Sequence, residues 1–173
     1  VIPTSVESFG TDTIANPDEI VWTDSIKKIL SGEMEGQVVD NRGEDCWNGT
    51  SSGYSYHDLA GRIDGSIWCT EGDEENEFVN YMKSNGVDTN KLVAFFCGDS
   101  WGAATIAYWC QSVDLNNIKE WGTGWIPWSN EGNEFIDHNG NKVHYDKYLD
   151  AVVDENGKDV SDGVNILADE EQK

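Results

Sequence analysis

The stretch that decides the fold reads Lys91-Leu-Val-Ala-Phe-Phe-Cys97-Gly-Asp-Ser-Trp-Gly-Ala-Ala-Thr-Ile-Ala-Tyr-Trp-Cys110. An apolar run typical of a buried strand ends at Cys97, and a run suited to a helix follows shortly after. This order predicts that Cys97 lies at the carboxyl end of a strand, at the edge where open α/β sheets bind ligands. Backbone N–H groups and the helix dipole favour an anion there, including a thiolate, the reactive form of cysteine. The alternative is that Cys97 is a small buried apolar residue.

Outward from this stretch, short apolar segments alternate with helical patterns. Strands are predicted at 20–22, 37–40, 66–69, 92–97 and 117–121, and a Gly/Ser/Tyr-rich loop at roughly 43–57. Helices are predicted from Thr23 or Asp24, as the capping residue, to Gly32, and at about 73–84 and 102–113. The residues predicted to face the sheet are Ile26, Ile29, Leu30, Phe78, Val79, Met82, Ala103, Ile106, Ala107 and Cys110. Repeated strand–helix units predict an α/β fold: an open parallel five-stranded sheet with helices on both faces.

The pattern changes after residue 135. Asn139-Gly140 separates two alternating segments within 135–144, which predicts a hairpin, and Asn156-Gly157 predicts a second one within 152–160. We therefore divide the chain into an N-terminal extension (1–17), a main domain (18–135) and an acidic C-terminal extension with hairpins (136–173).

These Asp/Asn/Gly stretches are weak candidates for calcium sites. Lys142 stands where a calcium loop would need its turn glycine, and Val152 stands where the second loop would need its first aspartate. The cysteines lack the close pairs of a zinc site. The sequence therefore predicts no metal ligand.

Composition limits the partners. The chain has 33 acidic and 11 basic residues among 173, a formal net charge of −22, so it is expected to repel nucleic acid and anionic membranes. No apolar stretch is long enough to span a bilayer, no signal peptide is recognisable, and a monomer is expected. The chain opens with Val-Ile-Pro-Thr-Ser rather than Met. One hypothesis is an exported or surface-attached protein that has lost its leader, and the alternative is a cytoplasmic protein.

The four cysteines are Cys46, Cys69, Cys97 and Cys110. An even number permits disulfides without requiring them. A bond between Cys97 and Cys110 is excluded, because the predicted helix separates them by roughly 15–20 Å.

The chain contains four short motifs: Asp40-Asn41-Arg42, Gly61-Arg62-Ile63-Asp64-Gly65-Ser66-Ile67, Cys97-Gly98-Asp99-Ser100-Trp101-Gly102 and Gly124-Trp125-Ile126-Pro127-Trp128-Ser129. In this order they resemble those of the rhodanese domain, a sulfurtransferase module, which read Asp-x-Arg, Gly-His/Arg-Ile-Pro-Gly-Ala, an active cysteine loop and Gly-Gly-Trp-x-x-Trp. In one bacterial branch, often described as thiosulfate sulfurtransferase, the active loop reads Cys-Gly-Thr-Gly-Trp-Arg. The insertion Gly53-Tyr54-Ser55-Tyr56 is similar to one found in that branch. The resemblance covers roughly residues 18–135, and the four motifs together make a strong signal.

The resemblance implies a sulfurtransferase that needs no cofactor. Cys97 would attack the outer sulfur of a small anionic donor, such as thiosulfate or a mercapto acid, and form a persulfide. It would then pass that sulfur to a thiol or cyanide, while the N–H groups of residues 98–102 hold the anionic sulfur. The predicted substrate-binding residues are Gly98, Asp99, Ser100, Trp101, Gly102, Arg42 and Arg62.

Several of these residues have a structural alternative. Asp40 is expected to be structural, and Arg42 either forms a salt bridge with it or contacts the substrate. Arg62 either supplies positive charge or is structural, and Trp101 is either a wall of the pocket or a core aromatic residue.

If Cys97 carries a persulfide, two other cysteines, Cys46 and Cys69, could have a role in its chemistry. Cys46 and Cys69 follow strand ends at the predicted edge of Cys97. They are either resolving cysteines, which would turn a Cys97 persulfide into a disulfide, or ordinary semi-buried thiols.

Two departures from the related branch argue for weak activity. Gly102 stands where that branch has Arg, which removes the guanidinium best suited to a dianion. Asp99 places a negative charge in the loop, where it is expected to repel thiosulfate. We therefore predict weak turnover with thiosulfate and either a preference for a less charged donor or a role in holding persulfide.

Two other function classes are weighed against the enzyme. A rhodanese-like module that binds a partner without chemistry is the main alternative. A cysteine phosphatase is disfavoured, because Ala103 occupies the place of the Arg that such enzymes need, and no His or acid is tied by sequence to Cys97 as in a triad.

Overall fold

The computed structural model describes residues 17–70 and 75–164. Most of the predicted N-terminal extension, the start of the helix predicted at 73 and the end of the C-terminal extension lie outside this range. The strands of the main sheet are β1 (Ile20–Val21), β2 (Gln37–Asp40), β3 (Ile67–Trp68), β4 (Val93–Phe96) and β5 (Ile118–Trp121). All neighbours are parallel, in the order β1-β5-β4-β2-β3. The predicted parallel five-stranded sheet is therefore confirmed, with the most apolar strand at its centre.

Three helices follow the predicted pattern: α1 (Thr23–Leu30), α3 (Glu75–Ser84) and α4 (Trp101–Ser112). Most residues predicted to face the sheet are buried, and the two exceptions, Leu30 and Val79, are partly buried. The prediction that Thr23 or Asp24 caps α1 is wrong. The helix begins at Thr23 after Trp22, without a side-chain cap, because the Thr23 hydroxyl accepts a hydrogen bond from the Trp121 indole instead (3.2 Å).

Three short helices were not predicted: α2 (Glu44–Trp47), α5 (Trp125–Asn130) and α6 (Ser161–Val164). The first lies within the segment predicted as a loop. Two acidic residues occupy its first turn, where they favour the positive end of the helix dipole. The second has Gly124 as its N-cap, and its first amides contact the loop that follows β4.

The C-terminal segment forms an antiparallel sheet of β6 (Phe135–Ile136), β7 (Lys142–Asp146) and β8 (Ala151–Asp154), in that order. The turn between β6 and β7 is the predicted one, with Gly140 at a φ of +83°. The second predicted hairpin is reduced to one bridge between Val153 and Asp159. Between β7 and β8 lies a further turn, in which Asp150 has a φ of +51°. No Asn-Gly pair marks this turn in the sequence.

The two sheets share one core. Phe135, Val143 and Val152 pack in the same cluster as Val38 and Phe96 of the parallel sheet. Residues on both sides of position 135 therefore bury their side chains together, and the division into domains stays a prediction. Within the two described ranges, no helix combines the length and apolar character needed to cross a bilayer.

Candidate active site

Cys97 follows β4 directly and opens the loop that leads into α4. Its side chain is partly exposed, and its Sγ lies 3.8 Å from Oδ1 of Asp99. The position is the one predicted: the carboxyl end of the central strand, before the first turn of a long helix. Cys97 is therefore not the fully buried apolar residue of the alternative interpretation.

The α5 helix orients this loop through its first amides. The N–H of Trp125 donates to the carbonyl of Cys97 (2.9 Å), and the N–H of Ile126 donates to that of Gly98 (3.0 Å). The approach requires glycine at Gly124, whose φ is +74° and where a β-carbon would lie 2.7 Å from the Cys97 carbonyl oxygen. Both carbonyls at the start of the loop are thus turned toward α5.

The other end of the loop is held by Ser100. Its φ of +74° is unusual for a residue with a side chain, and such strained positions are concentrated in functional loops. Its hydroxyl donates to the carbonyl of Trp121, so it does not cap α4. In the part of the chain that the structure describes, the amides of Asp99, Trp101, Gly102 and Ser100 itself have no hydrogen-bond acceptor. These four consecutive N–H groups, which directly follow Cys97 and Gly98 in the chain, are therefore available to a ligand.

Beneath the loop lies a buried ion pair. Arg42 Nη2 lies 2.7 Å from Oδ2 of Asp40, and the same nitrogen donates to the Gly61 carbonyl (2.7 Å). The guanidinium also stacks over the ring of Trp125, 4.3 Å from its centroid. Burial alone would lower the pKa of Arg42, but the Asp40 carboxylate outweighs it and the pKa is raised. The charge of Arg42 is thus matched by Asp40, while its Nη1 has no acceptor among the described residues.

Arg62 and Trp101 occupy different surroundings. The Arg62 guanidinium lies over the ring of Trp47, 5.5 Å from its centroid, and its backbone pairs with Ile136. None of its described contacts is with residues 97–102, and its substrate-binding role stays a prediction. Trp101 begins α4 with its side chain 83% exposed, so its alternative interpretation as a core residue is wrong.

All four cysteines are free thiols. Cys46, Cys69 and Cys110 are buried, and burial is the main cause that raises the pKa of these thiols to about 11, 12 and 11, respectively. Such thiols stay protonated and unreactive near neutral pH. Cys97 is the most accessible of the four, which suits the role of the nucleophile.

Sequence reasoning missed Tyr54. Its hydroxyl accepts the N–H of Gly98 (2.8 Å), and its ring lies so close that a β-carbon at Gly98 would be 2.1 Å from Tyr54 Cζ. Only glycine permits this contact. The signal available in the sequence was the aromatic insertion 53–56, which was noted for its resemblance and given no role.

A second missed contact joins the Tyr54 loop to α5. His57 Nε2 lies 3.0 Å from the hydroxyl oxygen of Ser129, and that hydroxyl donates to the Trp125 carbonyl (2.9 Å). The hydroxyl oxygen therefore accepts from His57, which is neutral with its proton on Nε2. Burial lowers the pKa of His57 to about 4; the Asp58 carboxylate opposes this shift, and the Arg42 cation adds to it. No sequence signal connected these two residues.

A cavity of about 810 Å³ lies elsewhere, between the turns of the antiparallel sheet. Its walls include Asp137, Asp154, Asp159 and Lys158, and no residue of the Cys97 loop. Across residues 17–70 and 75–164, no group of three or more His, Cys, Asp or Glu side chains is arranged to hold a metal ion. The cavity thus has no described connection to the candidate nucleophile.

Several solved structures are similar to this chain in fold. The solved structures similar to the chain include the anaerobic ergothioneine biosynthesis enzyme of Chlorobium limicola in complex with trimethyl histidine. It is 26% identical with a TM-score of 0.66, and the match covers 73% of this chain and 33% of that one. Another is an EanB variant with ergothioneine covalently linked to a persulfide cysteine, 25% identical with a TM-score of 0.67, covering 78% and 35%. The fold is rhodanese-like.

The rhodanese-like chain also has a distant curated relative. This relative is the thiosulfate sulfurtransferase YnjE of Escherichia coli (strain K12), which is 22% identical to the chain over 139 residues. The match covers 71% of this chain and 32% of the relative. No family profile matches. The chain spans about a third of the length of each of these proteins. At this distance the similarity supports a sulfurtransferase-like function without defining a substrate.

Proposed function

We propose that the chain is a rhodanese-type sulfurtransferase that carries sulfane sulfur as a persulfide on Cys97. The observation that carries this proposal is the loop: a partly exposed thiol beside four backbone amides that have no acceptor within the described residues. Such amides are suited to an anionic sulfur, because they present partial positive charge without a cation. The distant likeness to YnjE, and the persulfide cysteine in the EanB variant, support the same reading.

The reaction has two steps. With thiosulfate, the Cys97 thiolate bonds to the outer sulfur, the S–S bond of the donor breaks, and sulfite leaves with the electron pair. With 3-mercaptopyruvate, the C–S bond breaks, and the carbon takes up the thiol proton to give pyruvate. In the second step an acceptor thiolate or cyanide bonds to the outer sulfur of the persulfide, and Cys97 leaves as the thiolate.

The charges around the loop favour a singly charged donor. Asp99 lies next to the sulfur, Gly102 supplies no cation, and the charge of Arg42 is matched by Asp40. The net charge of −22 adds a repulsive field for every anion. We therefore expect 3-mercaptopyruvate to load Cys97 better than thiosulfate.

Intact mass spectrometry after incubation with each donor tests this function. A gain of about 32 Da, the mass of one sulfur, is expected, larger in extent with 3-mercaptopyruvate and reversed by a thiol. The gain should be absent in Cys97→Ser and kept in Cys46→Ala, which removes a buried thiol of α2. Thiosulfate:cyanide turnover is expected below about 1 per second, the low end of typical enzyme rates.

A binding module without chemistry is the second candidate, and Asp99 beside the thiol favours it. That module would show no mass gain with either donor. A gain that persisted in Cys97→Ser would also contradict the proposed function, because the sulfur would then be carried by another residue.

A further inference from the structure

The Tyr54 hydroxyl is positioned by one hydrogen bond, by packing of its ring and by hydrogen bonds of its backbone. Its oxygen accepts the Gly98 amide hydrogen (2.8 Å), and the ring is pressed against Gly98 with no room for a side chain. The backbone around it is held as well, because the Tyr54 carbonyl accepts from the amide of His57 (3.3 Å) and from the hydroxyl of Ser52 (3.0 Å). His57 is in turn bonded to Ser129 of α5. The hydroxyl therefore has a fixed position beside the residue that follows the nucleophile.

The hydrogen of this hydroxyl is not used by the protein. A phenol has one hydrogen to donate, and across the described residues the Tyr54 hydroxyl has no acceptor for it. Its oxygen already accepts from Gly98, and a hydroxyl that accepts one hydrogen bond is a stronger donor in the next. The pKa of Tyr54 is raised to about 12, first by burial and then by the nearby Cys97, so the hydroxyl keeps its hydrogen at neutral pH.

We propose that Tyr54 is a positioning residue for sulfur transfer, whose hydroxyl hydrogen binds the outer sulfur of the Cys97 persulfide. The protein gives Tyr54 no hydrogen bond to the Cys97 thiol itself, but a persulfide extends the side chain by one S–S bond of about 2.05 Å. The proposal requires that this added sulfur extend toward the Tyr54 hydroxyl, which lies beside Gly98. In this way a neutral hydrogen-bond donor stabilises the sulfur in place of the Arg side chain that the loop lacks at Gly102.

The inference rests on the proposed function. In the discharge step an acceptor thiolate bonds to the outer sulfur, the S–S bond breaks, and its electron pair stays on Cys97. A hydrogen bond to the outer sulfur draws negative charge from it, which makes attack by an anionic acceptor easier. The same bond stabilises the ionised persulfide, so it lowers the pH at which the persulfide becomes reactive toward an alkylating agent.

The test compares Tyr54→Phe with Tyr56→Phe. Both changes remove one phenolic oxygen from the same loop, but the Tyr56 side chain is 70% exposed and its hydroxyl has no described hydrogen bond. Each protein is loaded with 3-mercaptopyruvate, and the loss of about 32 Da on addition of 2-mercaptoethanol is followed by intact mass. Discharge is expected to slow at least tenfold in Tyr54→Phe, because that factor corresponds to the loss of one hydrogen bond to a charged group. In Tyr56→Phe it is expected to slow less than twofold.

The pH profile separates positioning from a general structural defect. Alkylation of the loaded persulfide by iodoacetamide is measured against pH, and its midpoint is expected to rise by about one pH unit in Tyr54→Phe only. Equal discharge rates and an unchanged midpoint would overturn the role of Tyr54 and leave the proposed function intact. Absence of any persulfide in the wild-type protein would overturn both.

A second variant covers the case that Tyr54→Phe does not fold, as judged by circular dichroism. In Gly98→Ala the new β-carbon would meet Tyr54 Cζ at 2.1 Å, so the ring must leave its place. The same slow discharge and the same rise in midpoint are expected. Normal discharge in a folded Gly98→Ala protein would contradict the proposal.

Discussion

The backbone N–H groups of the antiparallel sheet's turns are bonded to side-chain carboxylates, whereas most of those in the Cys97 loop have no described acceptor. In the turn after β6, Oδ1 of Asp137 accepts the amides of Asn139 (2.9 Å) and Asn141 (2.8 Å). Asp154 does the same for the amides two and four residues after it. In the Cys97 loop the one carboxylate, that of Asp99, lies beside the thiol instead.

The difference separates structural turns from a loop with capacity for a ligand. A turn whose amides are bonded to its own side chain is complete without anything else. Four amides in the Cys97 loop have no acceptor among the described residues, so an anion can bind there without displacing a protein group. The described contacts that hold this loop come from α5, Trp121 and Tyr54, and Arg42 in turn stacks on Trp125 of α5.

The largest expected effect comes from breaking the support beneath the loop. Asp40→Ala leaves the Arg42 guanidinium buried and unpaired, and we expect a loss of about 3–5 kcal/mol in the free energy of unfolding. Urea denaturation measures it. Glu35→Ala, which breaks the exposed pair with Lys91, should cost no more than about 1 kcal/mol. Equal losses in the two variants would show that burial of the Asp40–Arg42 pair is not what matters.

A pH-dependent effect is expected from His57. The pKa of this side chain is about 4 in the folded protein against 6.5 as its ordinary value, so the unfolded chain binds the proton first as the pH falls. Its contribution is fully present above pH 6.5 and is lost between about 6.5 and 4, amounting to at most about 3 kcal/mol because solvent screens part of the charge.

The measurement is denaturation of the wild type, His57→Gln and His138→Gln at pH 7 and pH 4.5. His57→Gln should show a smaller loss on acidification than the wild type, because Gln does not titrate. His138 is exposed, and its replacement should leave the pH dependence unchanged. If the free energy of unfolding of His57→Gln fell with pH as much as that of the wild type, carboxylates alone would account for the acid sensitivity.

The smallest effect is expected in the antiparallel sheet. Asp137→Ala leaves the two turn amides without their acceptor and should cost about 1–2 kcal/mol, as the loss of a helix cap does. Loading of Cys97 with sulfur should be unchanged, because the turn completes itself and does not touch the loop. If the variant lost persulfide formation while staying folded, the separation between the two regions would be wrong.

The fold was predictable because its signals are local and repeated. Apolar runs bounded by helical patterns identified all five parallel strands, and one Asn-Gly pair identified the first hairpin turn. The short helices α2, α5 and α6 escaped prediction, since a helix of four to six residues has too few positions for a periodic pattern. The cap of α1 was wrong because a distant indole competes for the Thr23 hydroxyl.

The candidate site was predictable only in its linear part. Cys97 and the loop after it stand in one continuous segment, and their place at the end of β4 follows from the chain order. Tyr54 on Gly98, His57 on Ser129, and the α5 amides on the loop carbonyls join residues that are far apart in sequence. No spacing rule relates them, because packing of the whole chain sets their distances.

By itself the sequence determined the parallel sheet, the placement of the cysteine at its edge and the acidic surface, since each depends on residue type and order alone. Only the tertiary structure decided that the charge of Arg42 is matched by Asp40, that Trp101 is exposed, and that Tyr54 holds the Gly98 amide. The physical reason is that hydrogen bonds and ion pairs act over a few ångströms. Which groups come that close is known once the chain is folded.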